Sequence, residues 1–216
     1  LLMEAHLKDA QLKYLQAQIN PHFLFNTLNA GAQLAMMEGA DRTYEYVQNV
    51  AEFFRYNVKK SNDIVTVREE LELVDHYIYI LNVRFAGDIH FSKDVDESLE
   101  NVRVPSMILQ PVVENAVNHG IRDIEWEGKI HLTVTGDADY IRISVKDNGK
   151  GMTPEQIEGV LTGNKKYKKE EGDSTGIGMN NVISRLELYY EETGLVEINS
   201  EGEGKGTEVV IYIPVN

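Results

Sequence analysis

The chain has 216 residues, of which 42% are hydrophobic and 26% charged, a composition typical of folded globular proteins. Its formal net charge of −14 argues against nucleic acid as the main partner, because binding to phosphate backbones needs clustered lysine and arginine. The absence of cysteine excludes disulfides, thiolate metal sites and thiol nucleophiles.

The first part of the chain is predicted to be helical. Apolar residues spaced three to five apart predict an amphipathic helix over residues 1–37, which Pro21 is expected to kink just before His22. Gly39 and Asp41 predict a helix stop and an N-cap, so a second helix follows and packs on the first as an antiparallel hairpin. A third helix is predicted over residues 67–84.

The chain changes character near residue 87, where we place the boundary between domains 1–86 and 87–216. Beyond it, strands are predicted over 89–95, 129–147 (two strands), 195–200 and 206–214, and helices over 105–119, 154–161 and 176–190. The predicted fold class is α+β: a helical hairpin followed by helices on a mixed, mostly antiparallel sheet.

One candidate nucleotide site follows the second strand of the 129–147 pair. Asp147 ends an alternating apolar strand and is followed by Asn148-Gly149-Lys150-Gly151, where glycine lets a ligand approach the backbone closely. A carboxylate in this place can accept a hydrogen bond from an exocyclic amine such as that of adenine. A plain turn explains this stretch equally well when it is taken alone.

Three further patterns suit a nucleotide. Gly176 and Gly178 open a predicted helix, whose first N–H groups favour phosphates. Asn115 lies on a predicted helix, where its amide oxygen can serve as a hard ligand for Mg²⁺. Gly204-Lys205-Gly206-Thr207 precedes the last strand. Taken alone, the glycine pair is weak evidence, a helix-surface or capping amide is the simpler explanation of Asn115, and the third pattern is also typical of a hairpin turn.

Taken in order, these four patterns resemble the N, G1, G2 and G3 boxes of the GHKL (Bergerat-fold) ATPases, over roughly residues 88–216. The resemblance implies a Bergerat-type α/β sandwich that binds ATP and Mg²⁺. It implies that Asn115 holds the Mg²⁺ and that Asp147 binds the adenine amine. The other residues implied in nucleotide binding are His119, Gly149, Gly151, Gly176, Gly178, Thr207 and, in a lysine-rich segment at the position of the ATP lid, Lys166.

His22 is the candidate phosphoacceptor. It lies in an apolar helical stretch with Asn26 one turn along, and a neutral imidazole has a ring nitrogen that can attack a γ-phosphate near pH 7. A histidine packed within the helical hairpin is the alternative. Residues 19–26, together with Glu69-Glu70-Leu71 and residues 110–115, resemble the LytS/YesM-type sensor histidine kinases over essentially the whole chain.

This resemblance implies an ATP-dependent protein-histidine autokinase of a two-component system. Residues 1–86 would form a homodimer as a four-helix bundle and carry His22, and the phosphoryl group would pass to an aspartate on the receiver domain of a response regulator. No segment approaches the roughly 20 apolar residues of a membrane helix, and the chain begins with Leu1-Leu2. We therefore expect a fragment of a protein that is longer at its N-terminus, and the resemblance implies that it is the cytoplasmic portion of a membrane-anchored sensor protein.

Two residues depart from the patterns of these families. Phe23 follows His22 where many histidine kinases have an acidic residue that takes the proton, so Glu114 is our candidate base and Asn26 is suited to orienting the ring or a phosphatase water. Pro111 occupies the position of the catalytic glutamate of hydrolytic GHKL members. This weakens the main alternative, a GHKL-type ATPase with a helical dimerisation arm and no phosphohistidine.

Two further alternatives belong to other classes. A non-catalytic helical interaction module would need neither nucleotide nor Mg²⁺, and the complete set of boxes disfavours it. A serine-directed kinase of the same superfamily would need neither His22 nor its helical hairpin.

Overall fold

The computed structural model describes residues 21–59, 64–85, 89–122, 124–163 and 175–215, without the side chains of residues 21, 22, 59 and 175–177. It divides into two compact units, Leu1–Lys59 and Lys60–Asn216. Among the described helices, none is long and apolar enough to cross a membrane.

The first unit contains two helices, α1 (Pro21–Met37) and α2 (Asp41–Lys59). A tight turn joins them at Gly39, whose φ of 68° is a left-handed conformation that glycine adopts without a Cβ clash. Small buried residues between the helices, Ala32, Ala35 and Ala51, allow the close packing of the predicted hairpin. Asp41 is the first residue of α2 rather than its N-cap, and the predicted kink falls on residues outside the described ranges.

The second unit contains four helices and seven strands among the described residues. In chain order they are β1 (Ile64–Thr66), α3 (Val67–Arg84), β2 (Ile89–Val95), β3 (Arg103–Pro105), α4 (Gln110–Asn115), β4 (Gly128–Gly136), β5 (Tyr140–Asp147), α5 (Pro154–Thr162), α6 (Thr175–Tyr190), β6 (Val196–Asn199) and β7 (Glu208–Pro214). Short 3-10 and π-helical turns lie at Glu97–Leu99 and Ala116–Ile121.

Five of the strands form one sheet in the order β2-β4-β5-β7-β6. β2 and β4 run parallel, while the other three neighbouring pairs are antiparallel. The predicted α+β class with a mixed, mostly antiparallel sheet is therefore confirmed. The strand connections are not all hairpins, because the chain passes from β5 through α5 and α6 to β6.

The core lies between one face of this sheet and the helices. Alternate strand residues such as Leu132, Ile143 and Ile211 are fully buried, as are Val113 of α4 and Leu186 of α6. Burying a side chain of this size contributes about 1.5–3 kcal/mol. The sheet's apolar face is thereby fixed toward the helices, and β5 lies against the π-helical turn that follows α4.

The helix α3 begins at a capping box and belongs to the second unit. Thr66 Oγ1 accepts the N–H of Glu69 at 3.2 Å, and Glu69 Oε2 accepts the N–H of Thr66 at 2.8 Å. Just before it, β1 pairs antiparallel with β3. The second unit therefore begins before residue 87, the predicted start of the ATP-binding domain, because β1 and α3 pack onto that domain.

The helix predicted over residues 105–119 begins later than we expected. Pro105 pairs with Ile64 at the end of β3, and α4 starts at Gln110. Met107 between them has a φ of 61°, which is uncommon for a residue with a side chain. The prediction was wrong here because long-range contacts, and not local helix propensity, determine the path of residues 105–109.

Candidate functional site

The Asp147 carboxylate lies at the end of β5 and is 6% exposed. Its Oδ1 accepts the backbone N–H of Gly149 at 2.8 Å and of Thr207 at 3.3 Å. The backbone N–H of Asp147 in turn donates to the carbonyl of Thr207 at 2.9 Å. The carboxylate is therefore fixed between the loop after β5 and the residue that precedes β7.

Burial raises the pKa of Asp147 to about 6, against the opposite effect of the hydrogen bonds from Gly149 and Thr207. The group is thus mainly ionised at pH 7. No described residue donates a hydrogen bond to Oδ2, so this oxygen remains available as an acceptor. One held oxygen and one available oxygen on a buried carboxylate suit an amine donor such as the exocyclic group of adenine.

Three glycines surround Asp147 so closely that a side chain does not fit. A Cβ on Gly120 would lie 2.7 Å from the carboxylate carbon of Asp147. A Cβ on Gly149 would overlap the carbonyl of Gly120, and one on Gly206 would overlap the carbonyl of Asp147. Gly149 is among the site residues predicted from the sequence and Gly120 is not, although an isolated glycine in a helical pattern was an available signal.

The loop after Asp147 is held from two sides. Gly151 has a φ of 71°, and a Cβ there would overlap the carbonyl of Gly202. Trp126 donates from Nε1 to the carbonyl of Asn148 at 2.8 Å while its side chain remains 47% exposed. Trp126 was also missed, because nothing in the local pattern connects it with a loop 22 residues later.

Asn115, the last residue of α4, has an incompletely satisfied side chain. Its Nδ2 is buried and has no hydrogen-bond partner among the described residues. Buried amides are normally paired, and this one carries an oxygen and a nitrogen that exchange places when the group turns over. An amide in this situation fits a site that a bound group completes, including a Mg²⁺ ion bound through the amide oxygen.

A π-helical turn, Ala116–Ile121, continues α4 and connects it with Asp147. The N–H of Arg122 bonds to the carbonyl of Val117 at 2.9 Å, a five-residue step. The carbonyl of Gly120 accepts the N–H of Lys150 at 2.9 Å. The segment with Asn115 and His119 is thereby fastened to the loop of Asp147, and His119, half-buried, lies on the connecting turn.

The beginning of α6 lies beside α4. Gly178, in the first turns of α6, faces Pro111, since a Cβ on the glycine would be 3.8 Å from the proline Cβ. Gly176 lies two residues earlier, and Thr207 precedes β7. The four sequence motifs thus meet within one compact unit. Lys166 falls outside the described residues.

The structure describes the side chains of two of the three predicted catalytic residues, Glu114 and Asn26. Glu114 lies half-buried on α4, and Gln110 Nε2 donates a hydrogen bond to its Oε2 at 3.0 Å. The pKa of Tyr77 is raised, first by the burial of Tyr77 and second by the negative charge of Glu114. Asn26 lies exposed on α1 in the first unit, which also carries His22. The roles of these residues stay predictions.

We expect Asp147→Asn to lower the affinity for ATP by about tenfold or more while the chain stays folded. Asparagine keeps an oxygen for Gly149 and Thr207 but presents an N–H₂ group to the adenine amine. Calorimetric titration with ATP measures the loss, and Asp139→Asn in an exposed turn is the matched control. Unchanged affinity in the first variant would contradict the assignment.

Asp147 should also make stability depend on pH. Because the folded pKa of about 6 exceeds the unfolded value, the neutral acid stabilises the fold below about pH 4, and this stabilisation is lost as pH rises through 6. Relative to wild type, Asp147→Asn should therefore gain about 2 kcal/mol between pH 4.5 and 7.5. Urea unfolding followed by Trp126 fluorescence measures it. A stability difference that does not change with pH would refute this prediction.

Comparison with known proteins gives two matches to family models. Residues 10–89 match the model described as histidine kinase, and residues 103–216 match the model described as histidine kinase-, DNA gyrase B- and HSP90-like ATPase. The second match covers more than half of the chain.

Among curated proteins, the sensor histidine kinase YesM of Bacillus subtilis is 34% identical over 96% of this chain and 34% of its own length. The sensor histidine kinase YpdA of Escherichia coli is 36% identical over 95% of this chain and 34% of its own length. The chain thus spans about a third of these relatives. A solved structure, the mycobacterial sensor histidine kinase MprB, shares the fold, with a TM-score of 0.52 and 18% identity over 71% of this chain and 97% of that one.

Proposed function

Because the chain belongs to the histidine kinase family, we propose that it is the phosphoacceptor and ATP-binding part of a sensor kinase that phosphorylates itself on His22. The observation that carries this proposal is the meeting of Asn115, Asp147 and Gly178 in one unit, with Gly120 packed directly on the carboxylate of Asp147. The family model over residues 103–216 is that of an ATPase, which implies ATP binding.

Asp147 would recognise the base of ATP. Its available Oδ2 accepts the amine, while Gly149 and Gly151 keep side chains away from the pocket and the Thr207 backbone holds Oδ1 in place. His119 would line the same pocket from the π-helical turn. Burial of Asp147 strengthens this hydrogen bond, because water does not compete for the acceptor.

The phosphates would lie between α4 and the start of α6. The first N–H groups of α6, near Gly176 and Gly178, favour anions, and Lys166 would add a positive charge from residues 163–174. Asn115 would hold a Mg²⁺ ion through its amide oxygen. When bound, Mg²⁺ neutralises phosphate charge. Net acidity does not oppose this, since local donors decide phosphate binding.

His22 would accept the phosphoryl group. A neutral ring nitrogen of His22 attacks the γ-phosphorus, the bond from phosphorus to the bridging oxygen breaks, and ADP leaves. The proton on the other ring nitrogen passes to Glu114, which leaves the imidazole ring of the phosphohistidine neutral and its phosphoryl group negatively charged. Gln110 donates to Glu114 and so orients its carboxylate. Asn26 would orient the ring from one turn along α1.

We further propose a homodimer formed by the first unit as a four-helix bundle. Phe23, Leu34 and Met37 are 69%, 60% and 81% exposed there, which supports a second copy as their cover. The phosphoryl group would then pass to the receiver domain of a response regulator. The relatives are named sensors, and this supports a parent protein anchored in the membrane with this portion in the cytoplasm.

We expect incubation with γ-labelled ATP and Mg²⁺ to give a label that is lost in acid, survives alkali and maps to His22 by mass spectrometry. His22→Ala should abolish it but keep ATP binding. His131→Ala, an exposed histidine on β4, is the control and should keep the label. Labelling that persists in His22→Ala would exclude this acceptor, and release of free phosphate without label would indicate an ATPase.

Replacing the proposed base should slow the chemical step alone. Glu114→Gln keeps an oxygen for Gln110 but cannot take a proton, so the phosphorylation rate should fall about 100-fold or more with unchanged ATP affinity. Single-turnover labelling and calorimetry separate the two effects. Glu125→Gln, at an exposed loop position, should leave both unchanged. Equal rates for the two variants would remove Glu114 from the mechanism.

A further inference from the structure

Glu70 on α3 is a fully buried carboxylate to which the proposed function gives no role. Its Oε1 accepts the N–H of Met107 at 2.7 Å, and its Oε2 accepts the N–H groups of Ile108 and Leu109, both at 2.8 Å. A buried charge is costly unless it is bonded, and here three backbone donors compensate it. Glu70 and its three donors are 37 to 39 residues apart in sequence, so these hydrogen bonds join α3 to a distant loop.

The loop that Glu70 holds leads directly into α4. Leu109 is the N-cap of α4 but provides no side-chain cap, while its carbonyl accepts the N–H of Val113 at 3.0 Å. Glu70 therefore accepts from α3 the N–H of the N-cap residue Leu109, one of the N–H groups at a helix start that have no partner within the helix. The three hydrogen bonds also hold Met107 at its left-handed φ of 61°, which sets the direction in which α4 leaves the loop.

A second contact fixes the same loop from α6. Arg185 donates from Nη1 to the carbonyl of Ser106 at 2.5 Å. Ser106 is buried and directly precedes Met107. The start of α4 is thus fastened to α3 and to α6, while the π-helical turn after it is fastened to Asp147 through Gly120.

Asn115 depends on these attachments because its own side chain is weakly held. No described residue bonds to its Nδ2, so the backbone of α4 determines where the amide lies. A metal ligand must be placed within a few tenths of an ångström, and the residues behind a ligand usually provide that precision. Glu70 fixes the beginning of α4, and Asn115 is the last residue of this helix.

We propose that Glu70 is a positioning residue for Mg²⁺ binding at Asn115. It acts through residues 107–109 and α4 and does not touch the ion or the nucleotide. This inference rests on the proposed function, in which Asn115 binds Mg²⁺ beside the phosphates. It predicts that a change at Glu70 weakens the contribution of Mg²⁺ to nucleotide binding and spares the recognition of adenine by Asp147.

Glutamine cannot replace Glu70 at this place. Both oxygens of Glu70 face N–H donors, so one end of a glutamine would present its own N–H₂ group to a donor. The neighbouring Glu69 provides a matched control. It belongs to the capping box of α3, where a glutamine oxygen serves equally well, and Glu69→Gln removes the same charge from the same helix.

The test titrates the full chain with the β,γ-imido analogue of ATP, once with Mg²⁺ and once with EDTA. The affinity of Glu70→Gln in EDTA should stay within about twofold of that of the wild type. The increase in its affinity on adding Mg²⁺ should be about tenfold smaller than in the wild type. Glu69→Gln should keep both. A merely structural role would lower both affinities of Glu70→Gln together, and that result overturns the proposal.

A second readout needs no ligand. In the nuclear magnetic resonance spectrum of the free chain, the side-chain amide signal of Asn115, identified by its loss in Asn115→Ser, should shift in Glu70→Gln and stay in place in Glu69→Gln. An unshifted signal in Glu70→Gln would show that Glu70 does not position Asn115.

If Glu70→Gln does not fold, Glu70→Asp takes its place in both measurements. Aspartate keeps the charge but is one methylene shorter, so we expect a smaller loss confined to the Mg²⁺-dependent affinity. A Mg²⁺ gain in Glu70→Asp equal to that in Glu69→Gln overturns the proposal. If the wild type itself shows no gain from Mg²⁺, the proposed function fails instead, and this outcome is distinct from a failure at Glu70.

Discussion

The hydrogen bonds and close contacts of the buried Asp147 carboxylate are the constraint on which the candidate site depends. Three backbone segments reach it: the π-helical turn at Gly120, the loop at Gly149 and the residues Gly206 and Thr207 before β7. Glycine leaves no side chain between them: the carbonyls of Gly120 and Asp147 lie where a Cβ of Gly149 or Gly206 would be, and the carboxylate lies against Gly120. The ends of β5 and β7 and the continuation of α4 therefore have to assemble together before the pocket exists.

Asp147 and Glu70 show how similar groups serve different purposes. Glu70 is completely buried, and both of its oxygens accept backbone N–H groups. Asp147 has one oxygen held by the backbone and one available for a ligand, and burial raises its pKa. The number of donors around a carboxylate thus separates a group that holds the structure from one that recognises a ligand.

Sequence periodicity predicted the parts of the fold that local patterns determine. β2 and α3 have the predicted bounds, since a clear apolar period and a capping threonine mark them. The four motifs were also found, because glycine and asparagine stand out in strand and helix patterns. The β1–β3 pair, the path of residues 105–109 and the role of Glu70 were not, because each depends on a partner more than 30 residues away. The boundary at residue 86 rests on a change in period and stays a prediction, and α3 lies in the compact unit Lys60–Asn216.

The π-helical turn after α4 makes chain length, as well as residue type, a requirement of the site. Its five-residue step at Val117 and Arg122 accommodates one residue more than an α-helix would. Deleting one residue there would restore the α-helical step and rotate the later residues of the turn by about 100° around the helix axis. A residue with a side chain would then replace Gly120 against Asp147. Insertions and deletions in this turn should therefore be selected against more strongly than substitutions at its half-buried residue Asn118.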